Sequence, residues 1–223
     1  IIRPLLPHFS RPLIDNDRKG WKPHEKMKEW YLPGLKLENI SVRTINNGLV
    51  SIGSNYSLIN GKATVEVNYL INGKGIIKIN YYLKASPELP DIPKIGMQCA
   101  ITRQFSRITW YGRGLHENYI DRCQGADVAI YSLPVSDFME PYVMPQENGN
   151  RTGIRWLFLG DNKNAGLIIA ADSLLNVSAW TYTEENINRA QHTNELVDAR
   201  FITLNIDLLQ MGIGGNDSWS DVA

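Results

Sequence analysis

Glu117 with Asp121, Asp15 with Asp17, and Glu147 are the carboxylates whose spacing invites a catalytic reading. Cleaving a glycosidic bond usually takes two carboxyl groups, about 5 Å apart when configuration is retained, one donating a proton and one attacking the anomeric carbon. None of these sets has the character of an acid and nucleophile pair, so no catalytic residue is assigned. His116 beside Glu117 offers another candidate acid–base pair. Neighbours on a strand point to opposite faces, so the two would cooperate only on a turn. The strongest binding signal is the string Met211-Gly212-Ile213-Gly214-Gly215-Asn216-Asp217-Ser218-Trp219-Ser220. Its glycines let the backbone pass close to a ligand. The rigid indole of Trp219 offers a face on which the C–H side of a sugar ring can stack, with Asn216 and Asp217 as polar partners in the same turn. The alternative is a core tryptophan after a tight turn.

Two further segments are dense in hydrogen-bonding groups. The first, Gly112-Arg113-Gly114-Leu115-His116-Glu117-Asn118-Tyr119-Ile120-Asp121-Arg122, brackets Tyr119 with Glu117, Asn118, Asp121 and Arg122. These four are expected to form a buried polar network that fixes a turn, with Arg122 paired to Asp121 or Glu117 through its planar fork. Asp15-Asn16-Asp17 has the short polar side chains of turns and caps. The second segment, Pro141-Tyr142-Val143-Met144-Pro145-Gln146-Glu147-Asn148-Gly149, continues into Asn150-Arg151-Thr152-Gly153. Glu147 and Arg151 on their own read as a solvated turn with a local ion pair.

The elements that must position these groups are strands. Residues 36–85 read as a β-meander punctuated by Asn47-Gly48, Asn60-Gly61 and Asn72-Gly73, the dipeptide preferred in type I′ hairpin turns. Ala63, Val65, Val67 and Tyr69 alternate with Lys62, Thr64, Glu66 and Asn68, and Ile77, Ile79, Tyr81 and Leu83 repeat the pattern. Period-two alternation predicts one buried and one wet face per strand. Further strands are predicted over 95–102, 107–111, 123–131, 153–159, 165–171, 177–182 and 200–208, with one short helix from 184 to 192 capped by Thr183. A second short helix is conceivable around 24–30. Residues 1–34, with five prolines, are read as an irregular but packed leading segment, and 35–223 as a β-sandwich domain truncated at its C-terminal side.

The chain has 223 residues, with 23 basic and 23 acidic side chains and a net charge of zero. A general nucleic-acid binder would need a basic excess, so no nucleic-acid partner is expected. No apolar run approaches the ~20 residues of a membrane span, so no membrane partner is expected either. Cys99 and Cys123 make no disulfide framework, Cys99 reads as a buried thiol, and no metal-ligand spacing is present. The start at Ile1-Ile2-Arg3-Pro4 reads as that of an excised fragment.

The strings at 112–122, 141–149 and 211–219, in that order, resemble the last domain of the large bacterial β-galactosidases of glycoside hydrolase family 2. Arg11-Pro12-Leu13-Ile14-Asp15-Asn16-Asp17 is similar to the string that opens that domain, departing just after the arginine. The resemblance covers nearly the whole chain. It implies an all-β fold, a large antiparallel β-sandwich of the galactose-mutarotase-like kind. It also implies that both catalytic glutamates lie on a TIM-barrel domain of the same polypeptide, so this chain alone would be inactive. By the same resemblance Trp219 forms the stacking wall for the sugar beyond the scissile bond, and residues 147–153 (Glu147, Asn148, Gly149, Arg151 and Gly153 in particular) form a mobile lid, the two glycines permitting its swing. Members continue past the tryptophan motif with a strand or two. The parent would act on β-galactosides such as lactose, use Mg and Na ions held outside this fragment, and assemble as a homo-oligomer, in a cytoplasmic or periplasmic compartment that the fragment leaves open. The rival readings are a free-standing carbohydrate-binding module and an aldose epimerase-like enzyme.

Overall fold

The computed structural model describes residues 1–163 and 165–214. Strands dominate it: β1 (Arg3–His8), β2 (Lys36–Asn46), β3 (Leu49–Leu58), β4 (Ala63–Asn72), β5 (Ile77–Ala85), β6 (Lys94–Thr102), β7 (Arg107–Arg113), β8 (Val128–Pro134), β9 (Arg151–Gly160), β10 (Gly166–Trp180) and β11 (Phe201–Gln210). Short α-helices occur at α1 (Pro23–Lys26), α2 (Lys28–Tyr31) and α3 (Glu184–Arg189). The strands form a seven-stranded sheet in the order β1-β6-β11-β10-β9-β7-β8 and a four-stranded sheet in the order β2-β3-β4-β5, and the pairings are antiparallel. The fold is all-β, of the antiparallel class expected from the alternating patterns. It divides into two compact units, Met27–Asp91 and Ile1–Lys26 with Ile92–Ala223.

The smaller unit is the expected meander. Ala63, Val65 and Val67 are buried to 1% exposure or less, while Thr64, Glu66 and Asn68 between them face solvent. Two details differ from the sequence reading. Ile77 and Ile79 are 49% and 37% exposed, because they pair with Ile71 and Tyr69, beyond the stretch of β4 that is covered. The type I′ form needs two consecutive left-handed residues; Asn60 and Gly61 provide them at φ 53° and 87°, while the other two turns differ. Gly48 is left-handed at φ 103° but the preceding Asn47 is not, and at the third hairpin Gly75 rather than Gly73 is left-handed. There the Asn72 side chain accepts from the Lys74 and Ile76 amides at 2.9 and 3.0 Å, an Asx-type turn that closes a longer loop.

In the larger unit, Ile101, Ile108, Trp110, Ile154, Leu157, Leu159, Val177, Ala179, Ile202 and Leu204 form a core at 1% exposure or less, each large aliphatic stabilising the fold by roughly 1.5–3 kcal/mol. Phe138 packs edge-on against Trp110 with centroids 5.2 Å apart. Arg3–His8, within the segment read as irregular, is a strand on β6. Residues predicted as two strands, 165–171 and 177–182, are the single β10, whose register against β9 shifts between Ala170 and Leu175 and between Leu175 and Val177. Those bulges break the alternation that sequence reading depends on. The strand predicted from 123 begins only at Val128. Thr183 caps α3, its hydroxyl accepting the Asn186 amide at 3.1 Å. Cys99 is buried, and burial pushes its thiol up to about 11.

Candidate functional site

β11 runs between β6 and β10 and delivers the chain to the segment Met211-Gly212-Ile213-Gly214. The backbone of that segment is gripped from two directions. Arg11, 1% exposed, donates to the carbonyls of Met211 and Gly212 at 3.0 and 2.9 Å and is itself held by the Asp17 carboxylate at 3.2 Å. Asp17 also accepts the Ile14 amide at 3.1 Å, and Asn16 donates to the Ile213 carbonyl at 2.8 Å. From the other side the Gly214 amide donates to Asp121 at 2.9 Å, and Arg122 reaches the Gly214 carbonyl at 3.5 Å. A Cβ on Gly212 would lie 2.5 Å from the Asp121 carboxyl carbon, so a larger residue there would have to displace that carboxylate.

The segments at 117–122 and 147–153 are bound to each other. Glu117 accepts the Gly149 amide at 2.7 Å and the Tyr142 hydroxyl. Burial raises the Glu117 carboxyl above the usual range, opposed by those two donors. Asn118 exchanges backbone and side-chain bonds with Asn150, both at 2.8 Å, and its Oδ1 accepts the Thr152 amide and hydroxyl at 3.0 and 2.6 Å. Asn148 accepts from the Glu140 amide at 3.2 Å, and its carbonyl accepts the Trp180 indole N–H at 2.9 Å.

Glu147 and Arg151 are 3% and 1% exposed. The reading of these two as a solvated turn with a local ion pair is therefore corrected: both are interior. Arg151 donates to the carbonyls of Leu115 and Phe138, both at 3.1 Å, and lies 4.3 Å over the Phe138 ring. Burial brings its guanidinium down to about 10. Burial pushes the Glu147 carboxyl up to about 8, against the pull of Lys94 and Arg11. Gly149 and Gly153 are both left-handed, at φ 74° and 64°. In this conformation 147–153 is an anchored segment, and swinging it would break the bonds just described.

The four strings, far apart in sequence, line a cleft of about 130 Å³ that includes Asn16, Glu117, Tyr142, Glu147 and Ile213. Trp219, Asn216 and Asp217 lie outside the described residues. Arg11, Asn16 and Tyr142 were not singled out from the sequence as site residues; Asn16 was read as turn and capping chemistry, and Arg11 stood only in the string that resembles the opening of the domain. His116 is exposed, and Glu117 is engaged by Tyr142 and Gly149, so the two do not form an acid–base pair. Among the described residues no group of three or more His, Cys, Asp or Glu could hold a metal ion, and no helix is long and apolar enough to cross a membrane.

A family model described as beta galactosidase small chain matches residues 1–223. The chain belongs to this family. It is 34% identical over 215 residues to a β-galactosidase of Priestia megaterium, covering 96% of this chain and 21% of the relative. A Streptococcus thermophilus β-galactosidase is 33% identical over 222 residues, with 95% and 21% covered. One from Vibrio cholerae is 30% identical over 241 residues, with 97% and 22% covered. The small-chain sequence thus spans about one fifth of the length of the curated relatives it matches. The strings gathered around the cleft belong to a domain that, in those relatives, is one part of a longer polypeptide.

Proposed function

We propose that this chain is the small-chain domain of a β-galactosidase, lending the leaving-group side of the active site its wall while the bond-breaking glutamates sit on a TIM-barrel domain of the same polypeptide. The observation that carries the reading is the two-sided grip on Met211-Gly212-Ile213-Gly214 by Arg11, Asn16, Asp121 and Arg122. It gives the motif that ends in Trp219 a fixed point of departure, as a stacking wall needs. The anchored residues 147–153 would support the rim, and a lid motion there would require the Glu117–Gly149 and Asn118–Thr152 bonds to open. The substrate class would be terminal β-galactosides such as lactose. Any Mg or Na requirement would be met by residues of the parent outside this chain, and homo-oligomeric assembly would be a property of that parent.

The test is Trp219→Ala in the full-length enzyme. Loss of stacking on the leaving sugar should weaken its binding by about 1–3 kcal/mol, the scale of an aromatic face. Unchanged kinetics with lactose and with glucose as acceptor would overturn the reading. A free-standing carbohydrate-binding module is the alternative; saturable binding of galactose or lactose by this chain alone, followed through tryptophan fluorescence, would favour it. An epimerase-like activity would show as polarimetric interconversion of galactose anomers.

A further inference from the structure

We propose that a second cleft, at the end of the seven-stranded sheet where β6 passes into β7, binds a small phosphate monoester of roughly monosaccharide size. This cleft has a volume of about 330 Å³. That reaches the ~300–1,000 Å³ usual for small-molecule sites, which the cleft of about 130 Å³ beside Glu117 does not.

Its lining carries two arginines, while two carboxylates lie just behind it: Asp198 on Arg103 and Asp137, which accepts the Ser136 hydroxyl at 2.9 Å. Arg103, Ser106, Arg107, Ser136, Asn162 and Thr181 supply the polar lining, and no carboxylate is among the lining residues. Val135 and Ile202, 3% and 1% exposed, form an apolar floor. The chain as a whole has no net charge, so attraction for an anion here is local. Arg103 is oriented by its ion pair with Asp198. Arg107 donates one N–H to the Ser132 hydroxyl at 3.2 Å, which leaves most of its five donors without a partner among the described residues. The backbone bond from the Val135 amide to the Ser106 carbonyl at 2.8 Å fixes the Ser106–Arg107 wall against the end of β8.

A guanidinium fork matches a phosphate in two-point geometry. A carboxylate presents two oxygens in one plane, whereas a tetrahedral phosphate monoester presents three that spread toward a hydroxyl and the second arginine as well. The remaining volume, with Asn162 and Thr181 above an apolar floor, suits the ring of a phosphorylated sugar.

The experiment is calorimetric titration of the full-length enzyme that contains this chain with glucose 6-phosphate, with inorganic phosphate and with glucose. Saturable binding of glucose 6-phosphate, weakened roughly tenfold or more in Arg107→Gln, partly kept in Arg107→Lys, and unaccompanied by any change in galactoside hydrolysis, is the expected result. Inorganic phosphate should compete more weakly, and glucose should not bind at this cleft. Absence of saturable binding by either phosphate, or equal affinity in Arg107→Gln, would overturn the proposal. Binding of inorganic phosphate alone would overturn its sugar-sized part. None of these outcomes depends on the role assigned to Trp219, because that reading is judged by galactoside kinetics.

Discussion

The Gly214 amide donates to the Asp121 carboxylate at 2.9 Å across 93 residues of sequence, while Gly212 lies so close to the same carboxyl that an added methyl group would have to push it aside. One exposed carboxylate thus receives the amide of the glycine turn whose preceding carbonyls Arg11 holds.

Replacing Asp121 with Ala should therefore separate function from folding. An exposed hydrogen bond of this kind is worth about 0.5–1.5 kcal/mol, and thermal unfolding of the full-length enzyme should shift only slightly. The ratio of kcat/KM for lactose over that for a nitrophenyl galactoside should fall severalfold, because the sugar leaving group loses its positioned wall. An unchanged ratio would remove Asp121 from the grip.

Asp17→Ala should be far more costly. Arg11 and Asp17 are both interior, with side chains 1% and 4% exposed, and removing one partner of a buried pair costs about 3–5 kcal/mol. The double variant Arg11→Met with Asp17→Leu should recover much of that loss in denaturant unfolding, yet should still lose the lactose preference, since the Met211 and Gly212 carbonyls lose their donor.

Glu147 makes stability fall with rising pH. Its carboxyl is pushed from 4.5 to about 8 by burial, so between those values the folded state holds a proton that the unfolded chain has released. The penalty grows from pH 4.5 and levels off above about 8. Glu147→Gln should flatten this part of the profile and stabilise the protein at pH 9 by roughly 1–3 kcal/mol, the scale of an uncompensated buried polar group. Glu184 works in the opposite sense. Burial would raise its carboxyl, but His8 at 2.8 Å and the Ser10 hydroxyl bring it down to about 2. Its stabilising contribution is complete above pH 4.5 and is lost as pH falls through about 2. Urea midpoints across pH 3 to 9, measured for both Gln variants, resolve the two.

Gly149→Ala should destabilise on two counts. The residue is left-handed at φ 74°, and a Cβ there would come within 2.6 Å of the Phe138 carbonyl oxygen, a backbone atom that Arg151 also holds. The cost should exceed the ~1 kcal/mol of an open left-handed glycine, and fluorescence of the Trp110–Phe138 cluster should report it. If 147–153 swings during turnover, the same variant should also slow kcat; an unaltered kcat in the folded variant would count against a lid.

How far the sequence could be read depended on the range of the interaction. Thr183 with two following glutamates, the alternation around Val65, and the hairpin positions at Asn47 and Asn72 are local signals, and each lies where expected. The exposure of Ile77 and Ile79 was not legible, because it depends on how far the covered part of β4 extends. The β10 bulges were not legible either, since they erase the periodicity that marks a strand. At the site, the strings were singled out by their resemblance, but neither their meeting in one cleft nor their partners was legible. Nothing near Glu147 in sequence announces that Lys94 and Arg11 lie beside it, and nothing near Arg11 announces the Met211 carbonyl. Tyr142, an ordinary aromatic in a proline-flanked loop, becomes the donor to Glu117 only when two loops meet.

The central place of β11 has a mechanical corollary. With hydrogen-bonded ladders on both flanks over Thr203–Asp207 and on β6 as far as Gln210, a pull applied at Met211 along the strand loads the β6 ladder first and then must shear both together. The root of the tail is thus clamped like a beam set in masonry, and domain motions of a larger enzyme would load it stiffly.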